Sequence, residues 1–121
     1  MARSNITATA LVANGSVTDP TGTTTGVGDG NGVTVTGQPF LERLYLRVQN
    51  AGGSSTTVKV KAGSGVAAIA AGQGDLSVSV AAGATAWIGP FESARFQAND
   101  GTLAVDATAA VTVTAFQGSR V

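Results

Sequence analysis

The sequence predicts an all-β fold, either an antiparallel β-sandwich or a jelly-roll-like barrel of about nine short strands. Three observations predict it. Apolar and polar residues alternate over short runs such as Thr57-Val58-Lys59-Val60-Lys61, which is the period of a half-buried strand. Glycine-containing turns separate these runs at a spacing of about 8–12 residues. No run shows the helical period over about ten residues that a parallel α/β sheet requires.

The first 32 residues differ in character from the rest, and we assign them to an N-terminal arm and a loop. Residues 4–12 place Ile6, Ala8, Ala10 and Val12 on one side of an extended chain. They form either a strand or an arm that becomes ordered against a partner. Residues 21–32 are rich in Gly and Thr without an apolar period, which predicts a mobile loop. The β-domain is therefore expected to span residues 33–121.

The middle of the chain holds the strongest strand signals. We predict strands over 33–36, 41–49 and 57–61, with a loop or hairpin turn between the last two. In the strand over 41–49, Leu44, Leu46 and Val48 point to one side.

The C-terminal half continues the same pattern of strand and turn. Strands are predicted over residues 75–81, 85–88, 93–97, 102–106 and 110–116. Asn99-Asp100-Gly101 is typical of a tight turn. Residues 66–71 are flanked by glycines, and we predict either a loop or a short strand there.

Charge and composition exclude several classes of function. Seven acidic residues balance seven basic ones in 121 residues, which argues against a nucleic-acid-binding protein with its basic stripe. No apolar run approaches the 18 or so residues of a membrane span. Charged residues are 12% of the chain, against a usual quarter or so, and such a surface is poorly protected against association. We therefore expect a homo-oligomer or a covering partner, and neither nucleic acid nor membrane as a partner.

Catalytic chemistry is not predicted. The chain has no His and no Cys, so a serine nucleophile could only use Lys59 or Lys61 as its base. The seven carboxylates are scattered along the chain, at positions 19, 29, 42, 75, 92, 100 and 106. The segment Gly26-Val27-Gly28-Asp29-Gly30-Asn31-Gly32 resembles a phosphate or calcium loop, but no helix follows it and oxygen ligands are few. We expect a flexible loop there, no metal, no cofactor and no enzyme activity.

A small set of residues forms the candidate protein interface. Arg43, Tyr45 and Arg47 share one face of a predicted strand, which is either an ordinary solvated face or an interface stripe, since Arg and Tyr are enriched at interfaces. Trp87 is either a core residue or an interface anchor. The apolar residues of the arm complete the set: Ile6, Leu11 and Val12.

Distinctive sequence segments in the second half of the chain resemble a known family. They are Gly72-Gln73-Gly74-Asp75-Leu76-Ser77-Val78-Ser79-Val80, then Gly83, then Trp87-Ile88-Gly89-Pro90-Phe91-Glu92-Ser93-Ala94-Arg95-Phe96-Gln97, and Asp100-Gly101. This stretch is similar to small virion proteins of tailed phages of actinobacteria, and the similarity extends back to residues 44–60. The resemblance implies a head decoration or similar virion protein that binds the outside of the capsid lattice and cements it. It supplies no catalytic residues.

Three functional hypotheses follow. The first is a capsid decoration protein, made in the bacterial host cytoplasm and located on the capsid surface. Its partner is the major capsid protein, and a homotrimer is the favoured oligomer. The second is a carbohydrate-binding or adhesion module of a phage tail or cell surface, for which Trp87 and Tyr45 are the candidate platform. The third, an enzyme, has no nucleophile, base or metal set to support it.

Overall fold

The described part of the chain contains ten short strands and one 3₁₀ turn. The structure is a computed structural model, and it describes residues 3–12, 14–36, 41–61, 74–91, 96 and 101–118. The strands are β1 Ser4–Thr7, β2 Thr9–Ala10, β3 Thr23–Thr24, β4 Gly28–Thr36, β5 Leu44–Gln49, β6 Thr56–Val60, β7 Leu76–Val80, β8 Thr85–Ile88, β9 Leu103–Ala107 and β10 Thr112–Gln117, with the 3₁₀ turn at Leu41–Arg43.

The strands form two sheets of five, as the prediction of an all-β sandwich requires. Sheet I has the order β1-β4-β9-β6-β7, and sheet II has the order β2-β10-β5-β8 with β3 also paired to β10. Most neighbours are antiparallel. The two N-terminal strands differ, because β1 pairs with β4 and β2 pairs with β10 in the parallel direction. Both sheets are therefore mixed.

The core lies between the sheets and is built from small aliphatic side chains. Alternate residues of each strand point inward, because successive side chains of a strand face opposite sides of the sheet. Leu44, Leu46 and Val48 of β5 are fully buried, as predicted. Sheet I contributes Val33, Val35, Val58, Val60, Leu103 and Val105, all fully buried. Such burial of each large aliphatic side chain contributes about 1.5–3 kcal/mol.

The predicted mobile loop over residues 21–32 is wrong for much of its length. Thr23–Thr24 is strand β3, and β4 begins at Gly28 rather than at residue 33. The strands β1 and β2 are also edge strands of sheets I and II. The predicted boundary between the N-terminal arm and the β-domain, between residues 32 and 33, therefore falls within strand β4. The sequence misled because glycine, which is depleted in strands, is tolerated at bulges and close approaches.

Gly32 shows why glycine is needed in β4. An added Cβ there would lie 1.8 Å from the carbonyl oxygen of Val105 in β9. Any side chain would push the two strands apart. The register between β4 and β9 shifts between Gly28 and Val33, which is a β-bulge or similar irregularity. The glycine-rich composition thus serves close packing of two strands.

The remaining strand predictions differ at their ends. The strand predicted over 41–49 begins at Leu44, because Leu41–Arg43 forms the 3₁₀ turn. The segments predicted over 66–71 and 93–97 lie outside the described residues, except for Phe96. The Phe96 ring packs edge-on against Phe91, with ring centroids 5.5 Å apart.

Candidate partner-binding face

The outward side of sheet II brings together three of the candidate interface residues: Tyr45, Arg47 and Trp87. We call this surface the outer face and define it by Tyr45, Arg47, Trp87, Thr114 and Phe116. In the strand register, Arg47 lies opposite Trp87 on one side and opposite Thr114 on the other. Tyr45 lies opposite Phe116. Three strands of the sheet thus bring these residues to one surface.

Their common orientation follows from the alternation along each strand. Leu46 and Val48 face the core, so Tyr45 and Arg47 face outward. In β10, Val113 and Ala115 are buried in the core, which directs Thr114 and Phe116 outward. In β8, Ile88 is buried, so Trp87 points away from the core. The prediction that Tyr45 and Arg47 share a face is confirmed.

Trp87 is exposed over 60% of its surface, so its interpretation as a core residue is wrong. Its indole packs against the Phe116 ring, with centroids 5.4 Å apart and the planes tilted by 38°. The guanidinium of Arg47 also lies over the Phe116 ring, 5.5 Å from its centroid, which is within cation–π distance. Phe116 is 6% exposed. Trp87 and Arg47 therefore both pack on this buried ring.

Arg47 is also covered by the chain that leads into β3. We call residues 19–22 the strap. Arg47 forms an ion pair with Asp19 through Nη1, and its Nη2 donates to the Pro20 carbonyl at 3.0 Å and to Thr114 Oγ1 at 3.3 Å. Gly22 lies against Thr114, because a Cβ at that glycine would come within 2.5 Å of Thr114 Oγ1. The strap therefore leaves Arg47 only 9% exposed.

The other predicted interface residues lie elsewhere on the sandwich. Arg43 belongs to the 3₁₀ turn rather than to the strand, so the prediction that it shares a strand face with Tyr45 is wrong. The Arg43 carbonyl accepts a hydrogen bond from the Gly118 amide at 2.8 Å. Leu11 donates its amide to the Gln117 carbonyl at 2.9 Å, next to Gly118 at the same end of sheet II.

The apolar residues of the arm divide into two environments. Leu11 and Val12 are 41% and 58% exposed, so they are available for contact with a partner. Ile6 lies in β1 of sheet I and packs, half-buried, against the core. Its position is therefore structural in this chain.

A buried carboxylate is the feature that sequence analysis missed. Asp106 is 0% exposed, and Arg3 donates to it from Nε at 2.8 Å and from Nη2 at 2.6 Å. The amides of Gly30 and Gly32 donate to the same carboxylate at 3.0 and 3.1 Å. The glycine-rich segment thus does cradle an anion, but that anion is the chain's own Asp106.

The electrostatics of Asp106 are those of a paired carboxylate. Burial raises the pKa of Asp106, but the hydrogen bonds from Arg3, Gly30 and Gly32 and the charge of Arg3 outweigh burial. The net effect is a pKa below the ordinary value of 3.8. The carboxylate is charged at neutral pH and saturated with donors, so it has no free lone pair with which to act as a base.

A cleft of about 380 Å³ opens at the side of the sandwich. Strand β3 pairs with Thr112 and Val113 of β10, while β2 pairs with Phe116 and Gln117. Thr114 and Ala115 lie between these pairings and line the cleft. The lining is made of threonines, one Asn and small apolar residues, and none of the described lining residues is ionisable. The described lining residues can form hydrogen bonds but supply no acid or base.

Among the residues that the structure describes, no group of three or more acidic residues is arranged to hold a metal ion. Likewise, no helix among them has the length and apolar character needed to cross a membrane.

Comparison with known proteins adds no assignment: no protein-family model, no curated protein and no solved structure matches the chain.

Proposed function

We propose that this protein is a structural virion protein that binds the outer surface of a phage head and cements the capsid lattice. The observation that carries the proposal is the exposed Trp87 on the outer face, beside Tyr45 and Arg47. The resemblance of residues 72–101 to small virion proteins of actinobacterial phages supplies the class of partner. The outer face supplies a surface with which such a partner could be bound.

The composition of the outer face supports protein binding. Trp, Tyr and Arg are the residues most enriched among those that dominate interface energies. Trp87 is held by Phe116 on one side, so it loses little conformational freedom when a partner covers it. Tryptophan and arginine side by side are typical of the centre of a protein interface.

A repeating lattice would strengthen weak individual contacts. The chain has no net charge, so copies do not repel one another strongly. A trimer on a threefold position of the capsid would engage three equivalent sites at once, and linked binding raises the overall affinity well above that of one site. We therefore expect a homotrimer bound to the major capsid protein.

Co-sedimentation with capsids that lack this protein tests the proposal. Saturable binding at an integer ratio to the major capsid protein is the expected result, with three copies per threefold position for a trimer. Trp87→Ala should weaken binding strongly, since interface tryptophans often cost 2 kcal/mol or so when truncated. Lys59→Ala, on the other sheet, is the matched control and should bind normally. Absence of saturable binding by the wild type would refute the proposal.

The second candidate function is a carbohydrate-binding module of a phage tail or cell surface. It is favoured by the same exposed Trp87, because a flat indole can pack against a sugar ring. In that case a glycan array should show binding by the wild type and none by Trp87→Ala, with both proteins folded. Capsid binding without glycan binding would decide against it.

A further inference from the structure

We propose that Arg47 is a carboxylate-binding site on the outer face, occupied in the free protein by Asp19 and in the complex by an acidic side chain of the partner protein. This inference rests on the proposed function, because it names the chemistry that the capsid protein presents to this surface. It makes Asp19 of the strap a built-in competitor of the partner's carboxylate for Arg47.

The first argument is an unsatisfied donor. Arg47 Nε is buried and has no hydrogen-bond partner among the described residues. Arg47 itself is 9% exposed, and leaving a buried donor unpaired is costly. Its two Nη atoms use Asp19, Pro20 and Thr114 as acceptors, which leaves the Nε–H of the guanidinium without an acceptor. The free protein therefore leaves this arginine incompletely bound.

The second argument is the nature of the present occupant. The Asp19 side chain is 71% exposed, whereas that of Arg47 is 11% exposed. Only one Asp19 oxygen, Oδ1, bonds to the guanidinium. An ion pair with one highly exposed member contributes little to stability, so displacing Asp19 costs little free energy. A carboxylate that approaches with free orientation can bind two N–H groups of the guanidinium fork at once.

The third argument is the setting of the guanidinium. It lies over the Phe116 ring, and Trp87 packs against the same ring. A partner that covers Trp87 removes water from the region of Arg47, which strengthens a charge-assisted hydrogen bond there. Charge complementarity then favours an acidic side chain flanked by apolar groups, as on the surface of a partner protein.

Capsid binding by three variants tests the inference. Asp19→Asn removes the negative charge of the competitor and should tighten binding by up to about fivefold, the factor that corresponds to one exposed ion pair. Arg47→Lys keeps the charge but loses the planar fork, and it should weaken binding at least tenfold or so. Asp75→Asn is the matched control, because Asp75 is paired with Lys61 beside sheet I, and it should bind as the wild type does. Equal binding by the wild type and Arg47→Lys would overturn the inference while leaving the proposed function intact.

A second measurement needs no capsid, so it distinguishes failure of the carboxylate site from failure of the proposed function. The Nε–H resonance of Arg47 is followed by NMR while blocked glutamate (N-acetyl-glutamate N-methylamide) is added. A saturable shift is expected, at lower concentration in Asp19→Asn than in the wild type. If the resonance does not move in either protein, the carboxylate site is refuted whatever the capsid result. A shift with glucuronate but not with blocked glutamate would also overturn the inference, because the ligand would then be an acidic sugar.

Discussion

Replacement of Asp106 by Asn is the sharpest test of how this chain holds itself together. The change keeps the size of the side chain but removes its charge. It also turns one acceptor oxygen into a donor NH₂ group. At that site every partner is a donor: Arg3 Nε and Nη2, and the amides of Gly30 and Gly32. The asparagine can satisfy some of these donors with its oxygen, but its NH₂ group must face the others.

The size of the effect follows from burial. Asp106 is 0% exposed, and breaking a buried charge pair costs about 3–5 kcal/mol. The Arg3 side chain is 30% exposed, so water partly replaces its lost partner and lowers that cost. We expect a loss of about 3 kcal/mol in the free energy of unfolding, a large part of the 5–15 or so that a small domain possesses.

Urea denaturation at neutral pH measures this loss, with Asp75→Asn as the control. Asp75 pairs with Lys61 at 2.9 Å, but both side chains are about a third exposed or slightly less, so its loss should cost about 0–1 kcal/mol. Repeating the measurement in acid adds a second test. The pKa of Asp106 is lower in the folded than in the unfolded chain, so protonation favours unfolding. Its stabilising contribution should be complete at neutral pH and disappear as the pH falls below 3.8 through the folded pKa. A loss no larger than that of Asp75→Asn would refute the reasoning.

Two further stability predictions concern close packing and exposure. Gly32→Ala should lower the free energy of unfolding, measured by thermal denaturation, by about 3 kcal/mol, because its Cβ would lie 1.8 Å from the Val105 carbonyl oxygen. Gly53→Ala is the control: no atom lies within 4 Å of its new Cβ, so stability should be nearly unchanged. Trp87→Ala should lower the free energy of unfolding by about 1 kcal/mol or less, because the side chain is 60% exposed. Phe116→Ala removes a buried ring beneath the outer face and should lower it by about 3–5 kcal/mol. Equal losses in either pair would contradict the packing described.

The sequence predicted the strands whose side chains alternate between core and solvent. In β5 and β6 the period is strict, and Leu46 and Val58 lie where it places them. It also predicted that Tyr45 and Arg47 share a face, because that follows from the same period. Local alternation settles which side of a strand a residue faces, so these features needed no knowledge of the partner strands.

What the sequence could not predict depends on contacts between distant segments. Gly32 and Asp106 are 74 residues apart, and Arg3 and Asp106 are 103 apart. Nothing local in a glycine-rich run shows that its amides bind a carboxylate in another strand. The exposure of Trp87 was equally open, because the alternation in β8 covers only four residues.

Two arginine–carboxylate pairs attach the N-terminal segment, which we define as the chain from Arg3 to Asp19. The pairs differ in which member is buried. In the pair of Arg3 with Asp106, the carboxylate is 1% exposed and the arginine 30%. In the pair of Asp19 with Arg47, the arginine is 11% exposed and the carboxylate 71%. The buried member of each pair belongs to β9 or β5, and the more exposed member belongs to the N-terminal segment. The first attachment therefore buries its carboxylate, while the second exposes it and is the one that we propose a partner can displace.

Amide hydrogen exchange should separate these roles. Asp106→Asn should speed exchange in β1, including the amides that pair with β4, because Arg3 loses its anchor and edge strands open locally at low cost. Asp19→Asn should speed exchange only in the strap, because the strap loses the ion pair with Arg47, and it should leave β1 protected. If Asp19→Asn also deprotected β1, the N-terminal segment would open as one unit, and Asp19 could not be exchanged without loss of the fold. The proposed binding of a partner carboxylate requires the two attachments to open independently.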